Sequence, residues 1–469
     1  MKSTLNLQHL PSEVIINCLI FLNIEDLKAC RLVSHQLNTF IFDSPKIMRK
    51  FKFNLQFSIK SSNLDNSEDL DTSVDLNSSS ESITDLQIYE LKDSITQNRQ
   101  FSTLIKDHEE LLHLWNFMDS KGHSVRRVNL NLNRFDKVSW NILEQMPNLE
   151  ELSMSRQLSN IQALPTTVQN IHNLSRLRIL TINMNTLKSF INSTKNVTKL
   201  EKLTVFISTE DDQDILTNFV AQQRNLKELK LVFDSEMTSI NFPSSDITSK
   251  VKFQLRKLKI HKDVIPNQSS YFNKFIESQA EHLRTFKIDF KPDEQLCGII
   301  IKKCKNLTKL ELSSESNDDL FKNINQIWKL PSLTSFKCDV MENPSFISMM
   351  TRFPNVSMLK AGRLGLIYGT YDKITEIKAK LMMSHHYDCQ FPNLKTLHIG
   401  NLLGIKIDDW MKFSQKHKNL EHLTISGTFF CDDTAFGLEH LRNFESLKTL
   451  KFRGRDIDCS MLRMVAEMI

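Results

Sequence analysis

One short pattern returns thirteen times between residues 125 and 452, and it restricts this 469-residue chain more than any other feature. It reads L-x-x-L-x-L with apolar variants: "NLEELSM" around Leu149, "RLRILTI" around Leu177, "NLKELKL" around Leu226 and "QLRKLKI" around Leu255. It continues through Val356 and Leu394 to Leu447, with a looser first copy, "SVRRVNL", at Val125. Successive copies start 23 to 29 residues apart, save for one interval of 38 between Val356 and Leu394. The second and third apolar positions are two residues apart and so share one face of a short strand, while the first turns into the core from the preceding bend. A unit of this length holds one strand and one helix, and it buries its apolar face only against its neighbours.

The stretches between copies carry helix-starting signals: "DDQDILTNFVAQQ" from Asp211, "PDEQLCGIIIKKC" from Pro292, "DDWMKFSQKHK" from Asp408 and "DDTAFGLEHLRN" from Asp432. Acidic residues and proline suit the donor-rich first turn of a helix. From Val125 to Ile469 the chain resembles the leucine-rich-repeat family. That resemblance implies an α/β fold, a solenoid bent into a horseshoe with a parallel sheet on the concave face and helices on the convex face. Two departures stand out. The family usually carries Asn or Cys three residues after the last apolar strand position, a place filled here only by Asn133 and Asn185, so irregular turns and little of a side-chain ladder are expected. The 38-residue interval contains three of the ten glycines and is expected to form a longer loop at 362–389.

Ahead of the repeats, residues 10–34 read "LPSEVIINCLIFLNIEDLKACRLVS". Pro11 suits a first helical turn, and Val14, Ile15, Cys18, Leu19 and Leu22 recur at helical spacing. Further apolar residues follow through "IEDLKAC" and "LVSHQLNTFIF", which predicts a three-helix module of about 40 residues, too small to bury all it displays. Another chain or the repeats must cover the remainder. The order Leu10, Pro11, Glu13, Val14, Ile15, Leu19, Leu22, Asp26, Leu27, Val33, Ser34, then Ser44 and Pro45, resembles an F-box and assigns it to residues 1–50. The resemblance implies docking on the Skp-type adaptor of a cullin-based ubiquitin ligase, with Leu10, Pro11, Ile15, Leu19, Leu22 and Leu27 as adaptor-binding residues. Cys18 stands where a branched aliphatic is usual, and Leu37 where a Trp is common. A helical cap for the end of the solenoid is the alternative reading.

The remaining 51–469 form the solenoid. "FKFNLQFSI" alternates strictly from Phe51 to Ile59 and reads as a strand. Next comes an acidic insertion at 60–86, whose residues 61–85 hold seven acidic side chains, eight serines and no Lys or Arg, a composition expected to be disordered. Serines before acids, such as Ser78 ahead of Glu81, fit either phosphorylation or a solvated acidic loop. The net charge of the whole chain is +5, so the part outside this segment stands near +12. The residue between the two strand leucines points away from the core. At the central repeats it is Lys230, Lys259, Lys287, Glu311, Lys337 and Lys360. The five lysines are the candidate target-binding residues, suited to an acidic or phosphorylated peptide or to a polyanion, although lysine also keeps exposed strands soluble.

Composition narrows the function further. The longest apolar run, Val14 to Leu22, is interrupted by Asn17 and falls short of the ~20 residues that cross a bilayer. The start lacks a secretory signal pattern, and the eight cysteines are scattered without a C-x-x-C pair, so a cytoplasmic or nuclear location is expected. His385, His386 and Cys389 are the nearest approach to a metal cluster, without a second pair at ligand spacing, and no metal or cofactor is expected. No nucleophile with its base and no phosphate loop is present, so the chain is not expected to be an enzyme. The combined resemblance implies a substrate-recognition subunit of an SCF-type E3 ubiquitin ligase, joined to a cullin through the Skp-type adaptor and holding a protein target, with no membrane partner. A scaffold subunit of a structural assembly without ubiquitin transfer is the alternative. Nucleic-acid binding is disfavoured, because the lysines are not interleaved with aromatics.

Overall fold

The computed structural model describes residues 11–22, 26–27, 29–30, 37, 40, 53–59, 100–105, 125–131, 143, 146–154, 174–193, 197–208, 213–234, 242–261, 270–313, 327–341, 345–365, 367–382, 389–401, 407–426 and 439–453. Two compact units emerge: Met1–Phe206 with Gln223–Leu226, and Ile207–Gln222 with Lys227–Ile469. The division runs through the repeats.

In the first unit, helix α1 spans Ser12–Phe21, with the Pro11 carbonyl accepting from the Val14 and Ile15 amides at its start. Ile15, Leu19 and Leu27 are its buried cluster, backed by Leu22, Cys30, Leu37 and Phe40. Residues 26–27, 29–30, 37 and 40 are helical, while the full extent of the second and third helices expected from the sequence lies outside the described residues. Strands β1 (Phe53–Ile59), β2 (Gln100–Ile105), β3 (Val125–Asn131), β4 (Glu151–Met154), β5 (Ile179–Asn183) and β6 (Lys202–Ile207) follow, with helix α2 (Met184–Ser193) after β5. All these strands pair in parallel, in the order β2-β1-β3-β4-β5-β6. β1 is the strand expected from the alternation. β2 is not among the expected repeats, and it pairs on the far side of β1 instead of between β1 and β3. The acidic insertion at 60–86 lies outside the described residues.

The second unit alternates strands with helices: α3 (Gln213–Gln222), β7 (Glu228–Phe233), β8 (Lys257–His261), α4 (Ser270–Gln279), β9 (Thr285–Ile288), α5 (Glu294–Lys303), β10 (Lys309–Leu312), β11 (Ser335–Met341), α6 (Ser345–Arg352) and β12 (Met358–Leu364). It continues through β13 (Gly369–Thr370), β14 (Glu376–Met382), β15 (Cys389–Gln390), β16 (Thr396–Asn401), α7 (Ile407–Lys416), β17 (His422–Ser426), a 3₁₀ turn at Glu439–Asn443 and β18 (Thr449–Arg453). Three helices begin near the acidic signals read from the sequence. In α5, Asp293 caps the helix by accepting from the Leu296 amide at 2.7 Å. Of the helix expected from Asp432, the described residues show only the 3₁₀ turn.

Apart from the small β13–β15 ladder, these strands form one parallel run, β7-β8-β9-β10-β11-β12-β14-β16-β17-β18. Alternate residues bury: Leu229, Leu258, Phe286, Leu310, Phe336, Leu359, Ile377, Leu397 and Leu423 follow one another across the sheet as its inner rung. The first motif positions, from Leu226 to Leu420, lie beneath with essentially no exposure. Burying these rungs between repeats supplies the bulk of the stabilising free energy. The result is an open, solenoid-like α/β arrangement in each unit.

Two expectations need correction. The segment 362–389 is not a protruding loop, because β14 lies inside it and pairs with β12 on one side and β16 on the other. The 38-residue interval is therefore two short repeats, with Ile374, Ile377 and Ala379 in place of leucines and the β13–β15 ladder where longer repeats carry a helix. A side-chain ladder also exists, displaced from the position the family pattern gave. Asn306, Asn355, Asn393 and Asn419 each precede the first apolar residue of a motif and donate through Nδ2 to the carbonyls of Glu281, Pro331, Asp372 and Pro392, at 2.7 to 3.1 Å. These bonds occupy backbone acceptors of the preceding turn that otherwise need water. The side chains of Asn133 and Asn185 lie outside the described residues. Their neighbour Asn183 is buried and accepts from the Thr186 amide at 2.8 Å as α2 begins.

Candidate interaction surfaces

Helix α1 is apolar on two sides. Ile15, Leu19 and Leu22 follow at i, i+4 and i+7 and face inward, whereas Pro11, Val14, Cys18 and Phe21 follow at i, i+3, i+7 and i+10 and face solvent. Phe21 is 87% exposed and Val14 42%. This divides the adaptor-binding residues read from the sequence. Ile15, Leu19 and Leu27 are 4%, 4% and 0% exposed and pack together in the module's own cluster. Leu22 is half-buried against them, Pro11 is exposed, and Leu10 lies outside the described residues. Periodicity alone shows an apolar stripe but not which of two adjacent stripes faces in. The bulky, fully displayed Phe21 is the residue that the sequence reading passed over.

A second surface lies on the solvent side of the sheet in the second unit. Strand register aligns Lys230, Lys259, Lys287, Glu311, Lys337, Lys360, Lys378 and His398 in one row, each beside the next. All five candidate lysines thus share one line, and Lys378 on the unforeseen β14 extends it. Neighbouring parallel strands lie ~4.8 Å apart, so the seven positions from Lys230 to Lys378 cover about 29 Å.

The row is unevenly neutralised. Lys287 reaches Asp289 at 3.3 Å and is itself largely sheltered, and Asp289 also pairs with His261. Lys378 pairs with Glu376 at 2.6 Å, Lys257 beside the row with Glu228 at 3.0 Å, and Lys309 with Glu311 at 2.6 Å. Lys259, Lys337 and Lys360 form no ion pair among the described residues. Partial burial holds Lys259 below the ordinary lysine range, helped by the charges of Lys257, Lys287 and Lys230. Burial likewise lowers Lys360, with Lys309 and Lys378 adding to it. Burial pushes Glu311 up, but the hydrogen bond and charge of Lys309, together with Lys287 and Lys337, outweigh it and hold the carboxyl below its usual range. These directions describe cations crowded at the edge of water, where an anion offsets both the mutual repulsion and the partial desolvation.

Among the described residues no group of three or more His, Cys, Asp or Glu is placed to hold a metal ion, and no helix is long and apolar enough to cross a membrane. Of the His385, His386 and Cys389 trio, only Cys389 is described; it is buried, and burial pushes its thiol up to about 12, away from the thiolate a metal requires.

No curated protein matches the chain. Among solved structures, it is similar to a chain in the crystal structure of the yeast Rad7 and Elc1 complex, at 16% identity and a TM-score of 0.37, over 67% of this chain and 78% of that one. The helix with two apolar faces has a clearer counterpart: residues 7–48 match the F-box domain family.

Proposed function

We propose that the chain is a substrate-recognition subunit of an SCF-type E3 ubiquitin ligase, with the F-box held by a Skp-type adaptor and a leucine-rich-repeat horseshoe holding a protein target. One observation carries this reading: the F-box match coincides with a helix whose outward stripe, Pro11, Val14, Cys18 and Phe21, is apolar and uncovered. Such a stripe is costly to leave in water, at ~25 cal/mol per Å², and it supplies the aromatic anchor that interfaces favour. The adaptor contact is accordingly assigned to this stripe, with Leu22 at its margin.

Target binding is assigned to the lysine row, centred on Lys259, Lys337 and Lys360, and the target's contacting segment is acidic or phosphorylated. No catalytic residue is needed. Holding a target lysine close to a charged conjugating enzyme raises the effective concentration, which is the whole contribution of a receptor. Purification of the tagged chain from cells, with and without proteasome inhibition, tests the reading. Recovery of adaptor and cullin, with target protein accumulating under inhibition, supports it. Adaptor without cullin under gentle conditions refutes the ligase role in favour of a fixed scaffold.

A further inference from the structure

On the edge of the second unit where the chain enters its strands lies a polar cavity of 390 Å³. Arg256 and Arg284 line it from the residues just before β8 and β9. Their backbones touch: the Arg284 amide donates to the Arg256 carbonyl at 2.9 Å, and the Thr308 amide donates to the Arg284 carbonyl at 2.9 Å. Two guanidinium groups therefore project from adjacent turns about 5 Å apart, the strand spacing. Neither forms an ion pair among the described residues. His282, Asn306 and Ser332 complete the donor side. Asn306 spends one amide hydrogen on the Glu281 carbonyl, at 2.7 Å, and keeps the second. Glu281 is the one carboxylate in the lining, and it is exposed.

The geometry points to this cavity as a binding site for a phosphate monoester. A carboxylate is satisfied by a single guanidinium fork. Two unpaired forks on neighbouring turns, with an amide and a hydroxyl beside them, match three acceptor oxygens and a dianion. The two cations outweigh the one carboxylate, so an empty site retains repulsion that a dianion removes. A phosphorylated side chain and a small phosphate compound share this chemistry, and the cavity has room for either.

The site is tested on the full chain bound to its adaptor, using three probes: a phosphoserine peptide library, the same library unphosphorylated, and inorganic phosphate. The double variant Arg256→Gln, Arg284→Gln is measured alongside, with its melting temperature as a fold check. Phosphoserine peptides should bind more tightly than their unphosphorylated twins, inorganic phosphate should compete, and the variant should lose about tenfold or more in affinity at unchanged melting temperature. Binding of inorganic phosphate without the peptides assigns the site to a small phosphate compound. The pair Arg256→Lys, Arg284→Lys keeps the charge and loses the forks, and it should also weaken binding. Equal binding of the two libraries together with no phosphate binding overturns the proposal, as does wild-type phosphate affinity in the glutamine variant.

Discussion

His417 provides the sharpest energetic test of the repeat packing. It lies just past α7, is 2% exposed, and stacks on Phe413 with ring centroids 4.0 Å apart. The Phe391 amide donates to its Nε2 at 3.1 Å, and an amide only donates, so Nε2 is the bare nitrogen. The proton therefore sits on Nδ1, which donates to the Phe413 carbonyl at 2.7 Å. Burial lowers the ring's pKa from 6.5 to about 4, against the opposing pull of that carbonyl and with help from Lys416. A charge here breaks the bond from Phe391 and is stranded in the core. The folded pKa is depressed, so the stabilisation is fully present above pH 6.5 and is lost as pH falls through 6.5 towards 4. A gap of about 2.5 units at ~1.4 kcal/mol each gives roughly 3 kcal/mol. Urea unfolding of the wild type and of His417→Gln, from pH 7.5 to 4, reads this difference. The variant should start about 1–2 kcal/mol less stable, having lost the ring stack and one bond, and should lose roughly 3 kcal/mol less on acidification. Equal losses in both proteins refute the assignment of a buried neutral imidazole.

Other expectations follow from the same geometry. Glu421 accepts from Lys448 at 2.6 Å and pairs with Lys395 at 3.1 Å; these bonds lower its pKa to about 2, so its stabilisation is present above 4.5 and lost as pH falls towards 2. Carboxyl NMR titration should find that low value in dilute buffer and a return towards 4.5 in Lys395→Ala, Lys448→Ala, and an unmoved value contradicts the pairing. A Cβ on Gly400 meets the Lys380 carbonyl oxygen of the next strand at 2.6 Å, whereas one on Gly298 meets nothing within 4 Å. Calorimetry should show Gly400→Ala destabilised by about 1–3 kcal/mol and Gly298→Ala, inside α5, stabilised by about 0.5–1 kcal/mol. Changing Lys259 and Lys337 to Glu reverses the field of the row without touching its core, so target capture should fail while adaptor capture persists, and wild-type capture should weaken as salt rises. Lys287 is a poorer probe, because Asp289 already holds it.

The repeat period was legible because each unit must bury two leucines on one strand face, and that demand shows as spacing. The lysine row was legible for the same reason: the residue between two buried positions has to point outward. β14 escaped notice because Ile377 and Ala379 satisfy the same burial with side chains that do not spell leucine, and a helix-free repeat is too short for the prevailing period. The asparagine ladder was visible as an Asn before six of the thirteen motifs, as in "NLTKL" and "NLKTL", but its use depends on a carbonyl 21 to 27 residues earlier that only the folded turn brings near. For α1, the inward and outward stripes are both apolar and adjacent, so no count of hydrophobic positions separates them. Only the location of Leu27 and Phe40 does.

Adaptor affinity of surface and core variants tests the central claim most directly. Val14→Asp, Phe21→Asp alters only exposed positions, while Leu19→Asp places a charge in the buried cluster. Titration of a purified Skp-type adaptor against the folded Val14→Asp, Phe21→Asp protein should show affinity reduced by several kcal/mol, with helicity and melting temperature unchanged. Leu19→Asp should instead lose the module's fold. Wild-type adaptor affinity in the surface variant contradicts the account, because the uncovered stripe of α1 would then not be the docking face.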